Sequence, residues 1–205
     1  MQSTPETISS LKPNVSREDA LRHFTEGTRA VAADILRGPA RSMADLYIPY
    51  RLFQVNIRND GREEKKIYAI DAVEGTLDLF SFPQLPPEQG LLTVKTRNFL
   101  PSRLQPEQAT EKLIDKVRRL LFSRGFSRLR NPEIEAAAIG DNLYFPYWVC
   151  FRGREHAAKL EIMDAVRRKS EGGKVRAMVR DWLESSPENR FEVSLSGAAE
   201  QALKP

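Results

Sequence analysis

Apolar and polar positions along the chain follow two rhythms, and the first is helical. Ser16 offers an N-cap with Asp19 three positions on. From there Leu21, Phe24, Thr28, Val31 and Ile35 recur at three- and four-residue steps until Arg37-Gly38-Pro39 supplies a stop. Gly27 lies inside this stretch and costs about 1 kcal/mol relative to alanine, so the helix needs burial to support it. Residues 1–15 are polar, carry Pro5 and Pro13, and read as a flexible lead-in.

The period then shortens to that of strands. Leu46–Ile57 is rich in aromatic and β-branched residues, Asn59-Asp60-Gly61 signals a turn, and Lys66–Val73 reads as a second strand. Glu74-Gly75 turns into a third over Thr76–Phe82, and Leu91–Thr96 follows a proline-rich loop as a fourth. Pro106 then fits the first turn of a helix. Its stripe is Ala109, Leu113, Val117 and Leu120, and it ends at Arg124-Gly125. Glu133–Ile139, Leu143–Arg152 and Lys159–Val166 read as strands. After Gly172-Gly173, Val175, Met178, Val179, Trp182 and Leu183 mark one helix face, and Phe191, Val193 and Leu195 alternate as a last strand.

The two series of elements resemble each other. Leu46-Tyr47-Ile48-Pro49-Tyr50 recurs as Leu143-Tyr144-Phe145-Pro146-Tyr147, and Ile70-Asp71-Ala72-Val73 recurs as Met163-Asp164-Ala165-Val166. The order is kept, and each pair follows a helix ending in Arg-Gly. The predicted fold class is therefore α+β, with two pseudo-repeated units. Each would be a helix packed on an antiparallel β-meander, with the units packed together because paired small units bury more surface than separate ones. After the lead-in, the units are expected over 16–100 and 101–205, within what could be one compact domain.

The tract Ile70-Asp71-Ala72-Val73-Glu74-Gly75, preceded by the Tyr-x-Pro-Tyr strand, resembles PepSY and cystatin-like modules. That resemblance implies a helix-plus-meander fold and a propeptide-like or inhibitor-like binding role. The second copy departs from it, because Asp164-Ala165-Val166 runs into Arg167-Arg168-Lys169 with no glycine for the tight turn.

Composition narrows the function classes. Hydrophobic residues at 40% and charged residues at 29% suit a soluble globular chain. The single Cys150 excludes an internal disulfide and a Cys-rich zinc site. No apolar run reaches the roughly 20 residues of a membrane helix, and the N-terminus lacks a basic start followed by an apolar core. A cytoplasmic location and no membrane partner are expected. The formal charge of +4 is small, but it is unevenly spread. Lys116, Arg118, Arg119, Arg124, Arg128 and Arg130 form one acid-free run, and Arg167, Arg168 and Lys169 begin another.

Three readings of candidate chemistry follow. Tyr47, Tyr50, Tyr144, Tyr147 and Trp148 could line a ligand groove, although packing is the plainer role for aromatic residues; Tyr47 and Tyr50, three apart on a strand, would face opposite sides. Asp71 and Asp164 could pair for acid–base work or hold a hard cation, although an Asp after a strand ordinarily accepts backbone N–H groups. The basic runs could meet phosphates, or could simply keep helices solvated. His23 and His156 have no ligand spacing, Cys150 sits in an apolar strand, and no phosphate-binding glycine loop is present. The expectation is a non-enzymatic binding or adaptor protein, with no metal and no cofactor, that takes a protein or peptide in a groove or on an edge strand. A nucleic-acid partner at the basic segments ranks second, and an enzyme built on the two Asp residues third.

Overall fold

The richest aromatic and β-branched tracts form the two longest strands, β2 (Ala40–Asn59) and β6 (Glu133–Arg152), and these pair antiparallel along most of their length. The computed structural model describes residues 5–59, 62–123, 132–153 and 159–185. Its other strands are β1 (Glu6–Leu11), β3 (Arg62–Asp71), β4 (Phe80–Phe82), β5 (Leu91–Thr96), β7 (Lys159–Asp164) and β8 (Lys169–Ser170). Its α-helices are α1 (Arg17–Thr25), α2 (Gly27–Arg37), α3 (Pro106–Ser123) and α4 (Gly173–Ser185). The fold is α+β, with the strands in one curled sheet ordered β4-β3-β2-β6-β1-β5; β7 joins β6, and β8 joins β7. No described helix is long and apolar enough to cross a membrane.

The β2–β6 register sets the Tyr-x-Pro-Tyr segments against each other, with Leu46 opposite Tyr147, Ile48 opposite Phe145 and Tyr50 opposite Leu143. β3 pairs Asp71 with Tyr50, and β7 pairs Asp164 with Tyr147. Neither proline breaks the sheet. Each sits where its carbonyl accepts from the start of a turn, Ala72 N to Pro49 O at 2.8 Å and Ala165 N to Pro146 O at 3.1 Å. Leu46, Ile48, Tyr50, Phe145, Tyr147 and Val149 turn to α4 and its Val175, Met178, Val179 and Trp182. Phe53, Val55, Ile57, Tyr68 and Ile70 pack under α3, on Ala109, Leu113, Val117 and Leu121. A third cluster joins Val15, Ala20 and Phe24 to Met43, Cys150, Met163 and Ala165.

Each helix segment therefore packs where β2 and β6 lie side by side, touching strands from both halves of the chain. Because β2 and β6 are antiparallel, the start of β2 lies beside the end of β6. The short Gly38-Pro39 link holds α1 and α2 over that end, and the opposite end, formed by β3, the end of β2 and the start of β6, carries α3.

Other expectations change as well. The lead-in contains β1, six residues in register with β5 from Glu6–Thr96 to Leu11–Leu91. Ile8, Ser10 and Leu11 are buried there, so the ladder outweighs the polar composition. The first helical stretch is broken at Glu26, which is extended, and Gly27 takes φ +81°. It buries Ala20, Phe24, Ala30 and Ala33 and leaves Val31 and Ile35 exposed, because alanine allows close approach to the sheet. Glu133–Ile139 and Leu143–Arg152 are one strand, with Gly140 (φ +61°) in the irregularity opposite Arg51. The third strand is only Phe80–Phe82, because Asp71 organises the preceding residues as a loop. Arg124-Gly125, Asp60-Gly61 and the strand expected at Phe191–Leu195 lie outside the described residues.

Arg152 clamps α1 and α2 to the sheet. It is 1% exposed, and its Nε and Nη1 donate to Glu161 and Asp34, each at 2.7 Å, while Nη2 donates to the Phe24 carbonyl. Removing Arg152 leaves the buried Glu161 with only the longer contacts to Arg29 and Arg37, at 3.7 and 3.9 Å, and without its hydrogen-bonded partner. Arg152→Ala is expected to lower the unfolding free energy by about 3 kcal/mol, read from urea unfolding. A loss under about 1 kcal/mol, the scale of exposed pairs, would show that the clamp is dispensable.

Candidate functional site

The candidate site begins where β2 and β6 bring Tyr50 and Tyr147 together. Both side chains are buried, and their hydroxyls lie 2.9 Å apart in a hydrogen bond. The Tyr50 ring stacks on Phe145 at 4.2 Å between centroids, and Phe80 meets both rings edge-on. Burial raises the Tyr50 hydroxyl well above the usual tyrosine range, with the Tyr147 dipole adding to it. Burial and then the Asp164 charge do the same for Tyr147. Both hydroxyls stay protonated at neutral pH and serve as donors and acceptors.

Behind the tyrosines the two carboxylates organise turns. Asp71 accepts from the N–H groups of Glu74 (2.9 Å), Gly75 (2.8 Å) and Leu77 (2.8 Å). Asp164 accepts from Val166 N and Arg167 N, both at 2.8 Å, and from Arg167 Nε at 2.6 Å. Each is spent on its own turn, so the arrangement assembles no shared acid–base pair from them. Arg168, at φ +56°, takes a left-handed position in the turn that follows Asp164. The Arg167 guanidinium lies 3.7 Å over the Phe80 ring and 3.5 Å from Glu171.

These turns and two helices enclose two adjoining hollows. The larger, about 920 Å³, lies between α3 and the loop that Asp71 holds, and Lys112, Lys116, Arg119, Arg167 and Lys174 line it against Asp78 and Asp115. The Lys112 stem crosses Gly75, where a Cβ would come within 2.7 Å of its Cδ and where φ is +69°. Lys116 donates to the Leu77 carbonyl. Burial lowers its pKa, opposed by Asp71, while the Lys174 and Arg119 charges push the same way as burial. The smaller hollow, about 420 Å³, is lined by Tyr50, Tyr147, Arg167, Lys169, Ser170 and Glu171 and by the first turn of α4. The two share Asp78, Arg167 and Lys174.

The remaining sequence candidates lie elsewhere. Tyr47, Tyr144 and Trp148 do not join the tyrosine pair. Tyr47 bonds through its backbone to Asn98 and Leu100, Tyr144 meets the Phe99 ring edge-on at 5.8 Å, and Trp148 donates to the Val15 carbonyl at 3.0 Å. Among the basic candidates, Arg118 pairs with Asp115 at 3.2 Å and Arg168 donates to the Asn14 carbonyl at 2.6 Å. Arg124, Arg128, Arg130 and His156 lie outside the described residues. His23 contacts Ser170 Oγ at 3.1 Å, and burial lowers its pKa. Burial pushes the Cys150 thiol up to about 11. Among the described residues no group of three or more His, Cys, Asp or Glu is placed to hold a metal ion.

Sequence reasoning missed Lys112, Asp78 and Glu171 as site residues. For Lys112 a signal existed: Lys112, Lys116 and Arg119 stand at i, i+4 and i+7, one face of a helix. Comparison with protein-family models, with curated proteins and with solved structures gives no significant match.

The tyrosine pair can be weighed by a double-mutant cycle. Tyr50→Phe and Tyr147→Phe each leave one buried hydroxyl without its partner and are expected to cost about 1–2 kcal/mol. The double variant should cost less than the two added together, by about 1 kcal/mol of coupling, read from denaturant unfolding. Strict additivity would show that the hydroxyls do not depend on each other.

Proposed function

We propose that this chain is a non-enzymatic binding protein made of two copies of one α+β unit, and that it holds an anionic ligand in the basic cleft. One observation carries the ligand class. Lys112, Lys116, Arg119 and Lys174 line one concave hollow, and no carboxylate lies within salt-bridge distance of any of them among the described residues. Like charges brought together in a partly desolvated cleft cost free energy, and an anion offsets that cost.

The duplication is supported by recurring bonds. Asn14 N and Val15 N donate to the Ala165 carbonyl, and Arg103 N and Leu104 N donate to the Ala72 carbonyl. Ser10 pairs with Tyr144 as Phe99 pairs with Tyr47. Two copies joined through β2 and β6 leave a recess at their junction, and the tyrosine pair forms its floor.

A compact ligand suits this cleft better than a nucleic-acid duplex. Arg118 and Arg168 are occupied by Asp115 and by the Asn14 carbonyl, and Lys116, Arg119, Arg167 and Lys169 line concave hollows. A propeptide-like ligand, which the PepSY and cystatin-like resemblance implies, would have to present acidic groups here.

Titration calorimetry with inorganic pyrophosphate at low salt tests the proposal. Binding is expected, weakening as salt screens the charges. Lys112→Glu and Arg119→Glu should each weaken it by about tenfold or more. Arg22→Glu, on α1 and lining neither hollow, should change it less than about twofold. No heat of binding at low salt, or equal losses in all three variants, would overturn the cleft as the site.

A further inference from the structure

We infer that the ligand is a phosphate ester of a small polyol, its phosphate held in the larger hollow and its hydroxyls in the smaller. This rests on the anion-binding reading and adds what the second hollow selects. The two hollows meet at Asp78, Arg167 and Lys174, so one molecule can occupy both. Each falls in the roughly 300–1,000 Å³ range of small-molecule pockets.

The smaller hollow differs chemically from the larger. The Glu171 side chain is 10% exposed, and its Oε1 is buried without a hydrogen bond; its nearest partner is the Arg167 guanidinium at 3.5 Å. A largely buried carboxylate short of hydrogen-bond donors is costly, and a ligand donor at the part of Glu171 that lines the hollow offsets that cost. The tyrosine pair adds to the demand. One of its two O–H groups is used in the mutual hydrogen bond, which leaves a second O–H to be satisfied at the wall that both tyrosines form. Leu77 and Val175 supply apolar walls between these groups.

The donor that fits is neutral. Arg167, Lys169 and Lys174 line this hollow with Asp78 and Glu171, so an ammonium group there would meet three cations against two carboxylates. A hydroxyl donates to Glu171 and accepts from tyrosine without adding charge. At the other end Lys112, Lys116 and Arg119 favour a doubly charged group over a single carboxylate. Anion at one end and hydroxyls at the other describe a sugar or polyol phosphate.

Calorimetry with glucose 6-phosphate, inorganic phosphate and glucose separates the contributions. Glucose 6-phosphate is expected to bind at least about tenfold more tightly than inorganic phosphate, and glucose alone should give no measurable heat. Glu171→Leu should bring the two phosphates to equal affinity without weakening inorganic phosphate. Glu171→Gln, which keeps an acceptor oxygen, should retain part of the preference. Circular dichroism melts of both variants establish that they are folded, and the wild-type ratio stands as a test that needs no variant. Equal affinity for the two phosphates in the wild type would overturn this inference and leave the anion site intact. So would an unchanged ratio in folded Glu171→Leu. Failure of every anion, pyrophosphate included, would overturn both readings.

Discussion

The antiparallel pairing of β2 with β6, in a register that sets Ile48 against Phe145, is the constraint on which the rest depends. It brings Tyr50 and Tyr147 into hydrogen-bond contact, aligns Asp71 and Asp164 with them on the outer strands, and carries the start of each long strand past the end of the other. A one-residue slip would turn every side chain to the opposite face. Tyr50, Phe145 and Tyr147 would leave the α4 core, and polar positions would enter it.

From that pairing follows the crossed arrangement of helices. A helix joined to β2 by a two-residue link can reach only the β6–β7 end, and Arg152 secures it there through Asp34, Glu161 and the Phe24 carbonyl. On the other side α3 covers β3, the end of β2 and the start of β6, so each end of the paired long strands carries a helix over strands from both halves. The cleft is a by-product of the same geometry. α3 and the start of α4, far apart in sequence, are both brought to the loop that Asp71 organises. Their lysines converge there although neither helix alone carries an unusual charge.

Much of this was legible in local pattern. Pro106 and the apolar stripe located α3, Gly172-Gly173 preceded α4, and the aromatic, β-branched tracts around each Tyr-x-Pro-Tyr segment marked the two long strands. The turn role of both Asp residues was the plainer expectation, and it is what their hydrogen bonds display. The errors have physical causes. β1 looked like a tail because a strand can draw its stability from ladder bonds and three buried side chains while most of its residues are polar. The apolar stripe through Val31 and Ile35 pointed the wrong way because small alanines, and not large aliphatics, permit the close approach of α1 and α2 to the sheet.

By itself the sequence determined the long strands, α3, α4 and the turn role of both Asp residues, because caps, prolines and alternation act over a few residues. Only the tertiary structure decided which helix covers which hairpin, which tyrosines meet, and that Lys112, Lys116, Arg119 and Lys174 share a cleft. Those outcomes depend on the register between strands 97 residues apart, and local pattern carries no information about that distance.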